Sequence, residues 1–281
     1  MNQVAAVVIT FHPDPAFFGR LLSYKDQVDH VFIADNSEPA YEFDALLLND
    51  PKVTLIAGGV NQGIARRLNE VAKMATEAGY KWLLTMDQDS YFEKEHLLCY
   101  LEYCNDFAEQ KQVAMFGVET AQPPELITNL YASVDRLITS GSLLNLDAFS
   151  KVGPFDEKLF IDEVDHEYCY RAICKGFKII QFTHIFLEHQ LGQNKQVNRL
   201  KGGVKTASFH SPLRLYYMVR NFLYVRNLYK NTFQGDLKIR GIGLLHRLKN
   251  NLLYGPRKLR TLKMIMLAAL DFQRGKMGKK L

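Results

Sequence analysis

The chain has 281 residues, 47% of them hydrophobic, which is enough to bury one large core or one core with an appendage. Its apolar runs fall short of the about 18 residues that a membrane span needs, and the first lacks a basic leader, so we expect neither a span nor a secretory signal. The net charge of +5 conceals an asymmetry: residues 1–194 carry 15 basic and 28 acidic side chains, a net −13, whereas residues 195–281 carry 20 and 2, a net +18. Such a basic region predicts an anionic partner, namely lipid, nucleic acid or a phosphorylated substrate.

The cysteines form two pairs, Cys99 with Cys104 and Cys169 with Cys174, each five residues apart. No CxxC motif or nearby histidine gives the ligand spacing of a zinc site. We interpret all four as reduced thiols in the core, which favours a cytosolic location.

Short β-branched runs alternate with helical patterns through the first half of the chain. This alternation is typical of an α/β fold in which helices cover a mostly parallel sheet. The second helix places Ile64, Leu68, Val71 and Ala75 on one face, and Gly79 follows as a C-cap. The predicted strands are 4–11, 30–36, 53–59, 81–87 and 113–119, and the predicted helices are 14–27, 62–78 and 93–110.

Polar residues gather where four of these segments end. Each could separately be loop punctuation, but the carboxyl ends of parallel strands meet at one edge of a sheet. We therefore expect a functional site at that edge. The residues concerned are Thr10, Asp35, Asn36, Asn61, Gly63, Asp87 and Asp89.

The acidic pair in "LLTMDQDS" follows an apolar strand directly. Asp87 and Asp89 repel one another, so the arrangement requires that both stay solvated or that a cation lies between them and their ligands. The pattern alone leaves both readings open, a strand-end turn and a metal site.

A different pattern begins near residue 137. We predict a strand in "SGSLLNL", a loop in "VGPFDEKLF" and an amphipathic helix in "VDHEYCYRAICKG", with its cysteines facing inward. The start of this helix carries Asp162, Glu163, Asp165 and Glu167. Acids there stabilise the helix dipole, so at least two of them could be structural.

Residues 195–281 are predicted to form a basic helical region appended to a domain of residues 1–194. The segments 211–231 and 243–272 mix Leu, Tyr, Phe and Met with Arg and Lys at helical spacing, as interfacial helices do. The prediction is peripheral binding to an anionic membrane. The alternatives are a C-terminal lobe with solvated charges and an oligomer contact.

Several motifs occur in an order and spacing that resembles a family 2 glycosyltransferase. They are "VITFHPD", "FIADNS", "NQGIARRLNEV", "LLTMDQDS", "TSGSLLNLDAFSKVGPFDEKLFIDEVDHEYCYRA" and "FLEHQLG", and the later "SPLRLYYMVRN" resembles the bacterial rhamnosyltransferase branch. The resemblance implies the GT-A fold, a nucleotide-sugar donor and one divalent metal, Mg²⁺ or Mn²⁺.

The resemblance also implies roles for the residues at the strand ends. Asp35 corresponds to the acid that recognises the nucleotide base, with Thr10 beside it, and Asn61 and Gly63 line the nucleoside side. The acidic pair matches the DxD motif of the family, in which the second acid binds the metal on the diphosphate and the first lies near the sugar and ribose.

The general base and a metal-proximal histidine follow from the later motifs. A Glu-Asp pair of the family stands here as Val164-Asp165, which makes Asp165 the candidate base; Glu163 or Asp162 carries this role if the helix begins differently. His189 occupies the position of a histidine that approaches the metal or the diphosphate, although a lone histidine is as often structural.

The function expected is one inverting displacement at the inner face of the cell membrane. The favoured donor is dTDP-rhamnose, with a UDP-linked sugar as the alternative, and the acceptor is a polyprenyl-diphosphate-linked glycan or another saccharide. A homo-oligomer is possible. Two other classes of protein are alternatives. The first is a nucleic-acid-binding protein that uses the basic region, but the sequence lacks a recognised nucleic-acid-binding motif. The second is a nucleotidyltransferase, for which "TFHPDPAFFG" is a poor phosphate-binding loop.

Overall fold

The computed structural model describes residues 3–93, 95–120, 129–189, 194–198 and 204–280. The chain divides into two compact units, the first comprising Met1–Phe160 with Val164–Gln190 and the second Ile161–Glu163 with Leu191–Leu281. The short segment 161–163 thus belongs to the second unit although both of its flanks belong to the first.

The first unit is a nine-stranded sheet with helices. Its strands are β1 Val4–Thr10, β2 His30–Asp35, β3 Val53–Ile56, β4 Trp82–Asp87, β5 Ser90–Phe92, β6 Val113–Glu119, β7 Tyr131–Ser133, β8 Ser142–Asn145 and β9 Lys178–His189. Its α-helices are α1 Phe17–Lys25, α2 Ala45–Leu48, α3 Ile64–Glu77, α4 His96–Asp106, α5 Leu146–Val152 and α6 Val164–Cys174, with 3₁₀ turns at Gln110–Gln112 and Glu157–Leu159.

The strand order is β3-β2-β1-β4-β8-β6-β9-β5, and β7 also pairs with β9. The pairs β1–β2, β1–β4, β2–β3 and β6–β9 are parallel, whereas β8 is antiparallel to both β4 and β6, and β5 and β7 are antiparallel to β9. The sheet is therefore mixed, with a parallel half that carries the first four long strands. The direction of β8 depends on the path of the chain before it, which the hydrophobic pattern does not record.

The core forms because the first strands are apolar on both faces. All seven residues of β1 are buried, as is typical of a central parallel strand with helices on both sides. On α3, Leu68, Val71 and Ala75 are buried as their spacing predicts, and Gly79 ends the helix with a left-handed φ of 85°. Gly176, also at φ 85°, ends α6 in the same way.

The second unit contains an antiparallel hairpin and three helices. The hairpin is formed by β10 Asn194–Asn198 and β11 Val204–Ser208, and the helices are α7 Pro212–Tyr229, α8 Gln234–Tyr254 and α9 Lys258–Gln273. Helix α7 lies within the predicted segment 211–231, whereas α8 begins at Gln234, before the predicted segment 243–272, and α9 ends one residue beyond it. The prediction did not include the hairpin. Along the described ranges, no helix is long and apolar enough to cross a bilayer.

The prediction of four core thiols is wrong for two of them. Cys104 and Cys169 are buried, but Cys99 and Cys174 are exposed. Residues five apart on an α-helix point about 140° away from one another, so only one member of each pair can face the core.

Candidate functional site

The carboxyl ends of β2, β1 and β4 lie side by side in the sheet. The parallel registers pair Thr10 with Asp35 and Ile9 with Asp87. Three of the predicted site residues are thereby brought to one edge, as their positions after apolar strands predicted.

The carboxylate of Asp35 is buried, with 1% of the residue exposed, and it is held by several donors. Its Oδ1 accepts hydrogen bonds from the Thr10 hydroxyl at 3.0 Å and from the hydroxyl and N–H of Ser37 at 2.6 and 3.0 Å. Its Oδ2 accepts from the N–H of Tyr41 at 3.0 Å. A Cβ at Gly58 would lie 2.3 Å from this Oδ2, so glycine is required where the backbone passes the carboxylate. Asp35 thus orders the chain around the end of β2.

Asn36 joins the turn that precedes α3 to the end of β2. Its Oδ1 accepts from the N–H of Gln62 at 3.1 Å, and its amide donates to the carbonyl of Gly63 at 3.3 Å. The Asn61 Oδ1 closes the same turn by accepting from the N–H of Gly63 at 2.9 Å. Gly63 has φ 86°, and a Cβ there would meet the Phe160 ring at 2.5 Å. Asn61 and Gly63 are therefore fixed against the strand end that carries Asp35.

A buried arginine supports this connection, and the sequence reasoning missed it. Arg67 is 2% exposed and donates to the Asn36 Oδ1 at 3.2 Å, the Asp35 carbonyl at 2.7 Å and the Ala57 carbonyl at 3.1 Å. The burial of Arg67 could have been predicted from the helical period, because Arg67 follows Ile64 by three residues on the apolar face of α3. An arginine on that face needs buried acceptors, and backbone carbonyls supply them.

The acidic pair lies on the short link between β4 and β5, and its middle residue anchors that link. Gln88 accepts from the N–H of Phe11 at 2.7 Å and donates to the carbonyl of the same residue at 3.2 Å. The Gln88 carbonyl accepts from the Arg20 Nε at 2.8 Å. The position of Asp87 and Asp89 is thus tied to the segment that follows β1. The sequence reasoning assigned no role to Gln88 or Arg20.

The small residues before β8 also support the acidic link. The Ser140 hydroxyl accepts from the N–H of Asp87 at 3.3 Å and donates to the Ser90 hydroxyl at 2.8 Å. Gly141, at φ 73°, donates its N–H to the Thr85 carbonyl at 2.8 Å. Both serines are buried, so this hydroxyl chain sets the backbone on each side of the acidic pair.

His189 is described only through its backbone. The antiparallel register of β5 and β9 pairs it with Ser90, the residue that follows Asp89. Its side chain lies outside the described residues. In the part of the chain that the structure describes, no three His, Cys, Asp or Glu side chains are grouped as a complete metal site.

The acids at the start of α6 have different surroundings. Glu167 is buried and forms a two-point ion pair with Arg171, at 2.9 Å to Nε and 2.8 Å to Nη2. The side chain of Asp165 is 18% exposed; its Oδ1 accepts from the N–H of His166 at 2.9 Å and lies 3.9 Å from the Nδ1 of that ring. It lies in the first turn of α6, where the helix dipole favours a carboxylate.

The two acids that precede α6 are ion-paired within the second unit. Asp162 accepts from Arg214 at 2.7 Å, and Glu163 accepts a short hydrogen bond from Arg240. The buried amide of Asn221 donates to the Asp162 carbonyl at 3.1 Å. Asp162 and Glu163 both have left-handed backbone, at φ 65° and 70°, which such contacts must compensate.

The chain is similar to known proteins in sequence and in structure. Residues 7–118 match the Glycosyl transferase family 2. The chain is also 29% identical, over 99% of its own length and 97% of the relative, to the dTDP-rhamnosyl transferase RfbF of Shigella flexneri. These matches confirm the resemblance seen in the motifs.

The fold resembles two solved structures. S. aureus TarS 1-349 in complex with UDP-GlcNAc aligns with TM-score 0.58 and 15% identity over 97% of this chain and 80% of that one. GalNAc-T7 with UDP, GalNAc and Mn²⁺ aligns with TM-score 0.58 and 11% identity over 98% of this chain and 56% of that one. The chain spans 49% of a longer TarS structure, about half. At these identities the likeness concerns the fold alone, and it confirms the expected GT-A type.

Proposed function

We propose that this chain, a family 2 glycosyltransferase of the rhamnosyltransferase-like kind, moves L-rhamnose from dTDP-rhamnose onto a glycan or lipid-linked acceptor with inversion at the anomeric carbon. The observation that carries the proposal is the near full-length match to a dTDP-rhamnosyl transferase. The pathway it would serve is the synthesis of bacterial surface polysaccharide, with a polyprenyl-diphosphate-linked glycan as the favoured acceptor.

The nucleoside of the donor would bind beside the ends of β1 and β2. Asp35 keeps acceptor capacity there, because its Oδ2 takes one protein hydrogen bond while a carboxylate oxygen has room for two. The turn of Asn61 and Gly63 would form the neighbouring wall, and Thr10 would hold the Asp35 carboxylate in place.

The acidic pair would hold a divalent cation together with the donor. Mg²⁺ in particular is commonly bound by one or two carboxylates and completed by substrate phosphates, so Asp87 and Asp89 suffice once a diphosphate is present. The cation would neutralise the charge that develops on the leaving nucleoside diphosphate. Asp89 would bind the metal and Asp87 would lie near the sugar and ribose, while Gln88 fixes the backbone of both. His189 remains a proposed contributor.

Asp165 is the proposed general base. It would accept the proton of the acceptor hydroxyl as that oxygen attacks the anomeric carbon, a role that contributes roughly 10²–10⁴-fold. The neighbouring acids are committed elsewhere, Glu167 to Arg171, Asp162 to Arg214 and Glu163 to Arg240. This leaves Asp165 as the acid of the group whose carboxylate contacts no arginine in the described contacts.

The basic helices of the second unit support a location at the inner face of the cell membrane. Anionic lipid attracts basic residues near its surface at about 1 kcal/mol each, and the attraction weakens as salt shortens the Debye length. Flotation with anionic and neutral vesicles at low salt tests this: equal recovery with both would refute membrane binding.

Donor choice is tested by calorimetry and by product formation. We expect dTDP, with Mn²⁺ present, to bind more tightly than UDP, and dTDP-rhamnose to support transfer to a lipid-linked saccharide. Tighter binding of UDP would favour the alternative donor. Salt-sensitive binding of single-stranded nucleic acid without any nucleotide-sugar turnover would favour the nucleic-acid-binding alternative.

A further inference from the structure

One side of α9 exposes a row of apolar side chains. They are Leu259 at 86%, Leu262 at 46%, Met266 at 59% and Leu270 at 43% of full exposure. With 3.6 residues per turn, these four positions lie within about 80° of one another around the helix axis. We call them the α9 face. Single exposed leucines are ordinary on protein surfaces, but a continuous apolar row marks a contact surface.

The opposite side of α9 is buried although it is partly polar. Its buried residues are Thr261, Ala268 and Asp271. The Asp271 carboxylate accepts a hydrogen bond from the Tyr216 hydroxyl of α7 at 2.8 Å and one from the Lys280 Nζ at 2.7 Å. These bonds fix the rotation of the helix, so the α9 face stays outside. The arrangement is the reverse of an ordinary surface helix, whose apolar stripe packs on the core.

The charges beside the α9 face indicate its partner. Helical spacing places Lys258 on one side of the row and Arg260, Lys263 and Arg274 on the other, and all four are exposed. Asp271 is the only acidic residue in the sequence of α9, and it is buried. An apolar centre with basic edges complements an anionic bilayer, in which apolar side chains enter the acyl boundary and long basic side chains reach the headgroup phosphates. A second copy of the same face would instead bring like charges together.

Helix α8 repeats this composition. Its exposed apolar residues are Ile239, Ile242, Leu245 and Leu253. The exposed side chains of Lys238 and Lys249 lie among them in the helical period. Two consecutive helices therefore combine exposed apolar side chains with basic ones, as interfacial helices do and as the helices of a fully solvated lobe do not.

We propose that the α9 face inserts into the headgroup boundary of an anionic bilayer, with α9 in the membrane plane and Lys258, Arg260 and Lys263 on lipid phosphates. The inference rests on the membrane location proposed above and deepens it, because it assigns the contact to named apolar side chains and not to charge alone. Burial of apolar surface is not screened by salt. Part of the binding should therefore persist at high salt.

The first test is flotation of the full chain with phosphatidylcholine vesicles, with and without phosphatidylglycerol, at low and at high salt. Leu259→Gln and Met266→Gln should each lower the partition coefficient at least about tenfold, and together they should remove the salt-resistant part. The matched control is Leu46→Gln, because Leu46 is 81% exposed on α2 of the first unit. This control should change partition less than about twofold. All three residues are exposed, so circular dichroism and Tm should stay at wild-type values.

The second test measures insertion directly. The chain has one tryptophan, Trp82, which is buried in β4. Met266→Trp adds a second one on the α9 face, and dibrominated phosphatidylcholine should quench its fluorescence in vesicle-bound protein. The fluorescence of the wild type and of Leu46→Trp should not be quenched.

The outcomes separate insertion from the other proposals. Variants of Leu259 and Met266 that float like the wild type would overturn insertion and leave an electrostatic membrane location standing. An unquenched Met266→Trp, or an equal loss of partition in Leu46→Gln, would also overturn it. Sedimentation velocity without vesicles examines self-association: an oligomer that Leu259→Gln and Met266→Gln dissociate would assign the α9 face to a second copy and refute the bilayer as its partner. No sugar nucleotide enters these tests, so absence of rhamnosyl transfer would refute the proposed reaction without affecting them.

Discussion

Substitution of the ion pair between Glu163 and Arg240 distinguishes an acid with a structural role from one with a catalytic role. Their side chains are 12% and 8% exposed, and the guanidinium also lies over the Phe222 ring at 5.7 Å. Glu163→Gln keeps the shape of the side chain and removes the counter-charge of a largely buried arginine. We expect this change to reduce stability and to leave turnover nearly intact.

The magnitude follows from burial. Removing one partner of a buried ion pair costs about 3–5 kcal/mol, and the lower limit applies here because glutamine still accepts a hydrogen bond. For a chain of this size 1 kcal/mol lowers Tm by about 2–4 °C, so about 3 kcal/mol corresponds to roughly 6–12 °C. Below the transition, kcat should change less than about twofold.

The matched comparison is Asp165→Asn, which should leave Tm near the wild-type value and reduce kcat at least about 10²-fold with donor affinity kept. Scanning calorimetry and steady-state transfer kinetics measure both quantities. The double variant Glu163→Leu with Arg240→Met removes both charges and should recover much of the lost stability. A Glu163→Gln variant with normal Tm and no turnover, beside an active Asp165→Asn, would refute the assignment of the base.

Three other predictions concern the metal, the backbone and pH. Asp89→Ala should abolish the gain in nucleotide affinity that Mn²⁺ produces and leave the circular dichroism spectrum unchanged. Calorimetry with and without Mn²⁺ measures this gain, and a gain retained in full would contradict metal binding by Asp89. Gly63→Ala should lower Tm and donor affinity, because its Cβ would meet the Phe160 ring at 2.5 Å. Gly79→Ala is the control: Gly79 has nearly the same φ, but no atom lies within 4 Å of its Cβ position, so this variant should show backbone strain alone. Equal losses of donor affinity in the two variants would exclude the steric explanation. Burial is the main cause that raises the pKa of Tyr216 from 10.0 to about 12, and a hydrogen bond to an acidic side chain is the second. The contribution of Tyr216 to stability is therefore present below pH 10 and is lost as pH rises to about 12. Denaturant titrations of Tyr216→Phe should lack this part of the alkaline decline in stability, and an unchanged decline would argue against the role of Tyr216.

Local pattern predicted the parallel half of the sheet well. The strands β1, β2, β4 and β6 occupy the predicted segments within one residue at either end, because each is a continuous apolar run bounded by polar residues. The three-residue strands β5 and β7 are too short to show any period, and the hairpin of β10 and β11 lies in a polar, basic segment. The strands β5 and β7 form because the longer β9 supplies their hydrogen bonds, whereas β10 and β11 supply them to one another.

The sequence alone determined which chemistry the strand ends offer. Acids and amides placed directly after apolar strands must reach one edge of the sheet once the strands are parallel, and this is how Thr10 comes to lie 3.0 Å from the Asp35 carboxylate. The tertiary structure decided which acids are available for reaction. Four acids within six residues look equivalent along the chain, but Asp162, Glu163 and Glu167 each meet an arginine, two of them from helices more than 50 residues away. Such pairings depend on which side chains folding places within a few ångströms, and no local spacing contains that information.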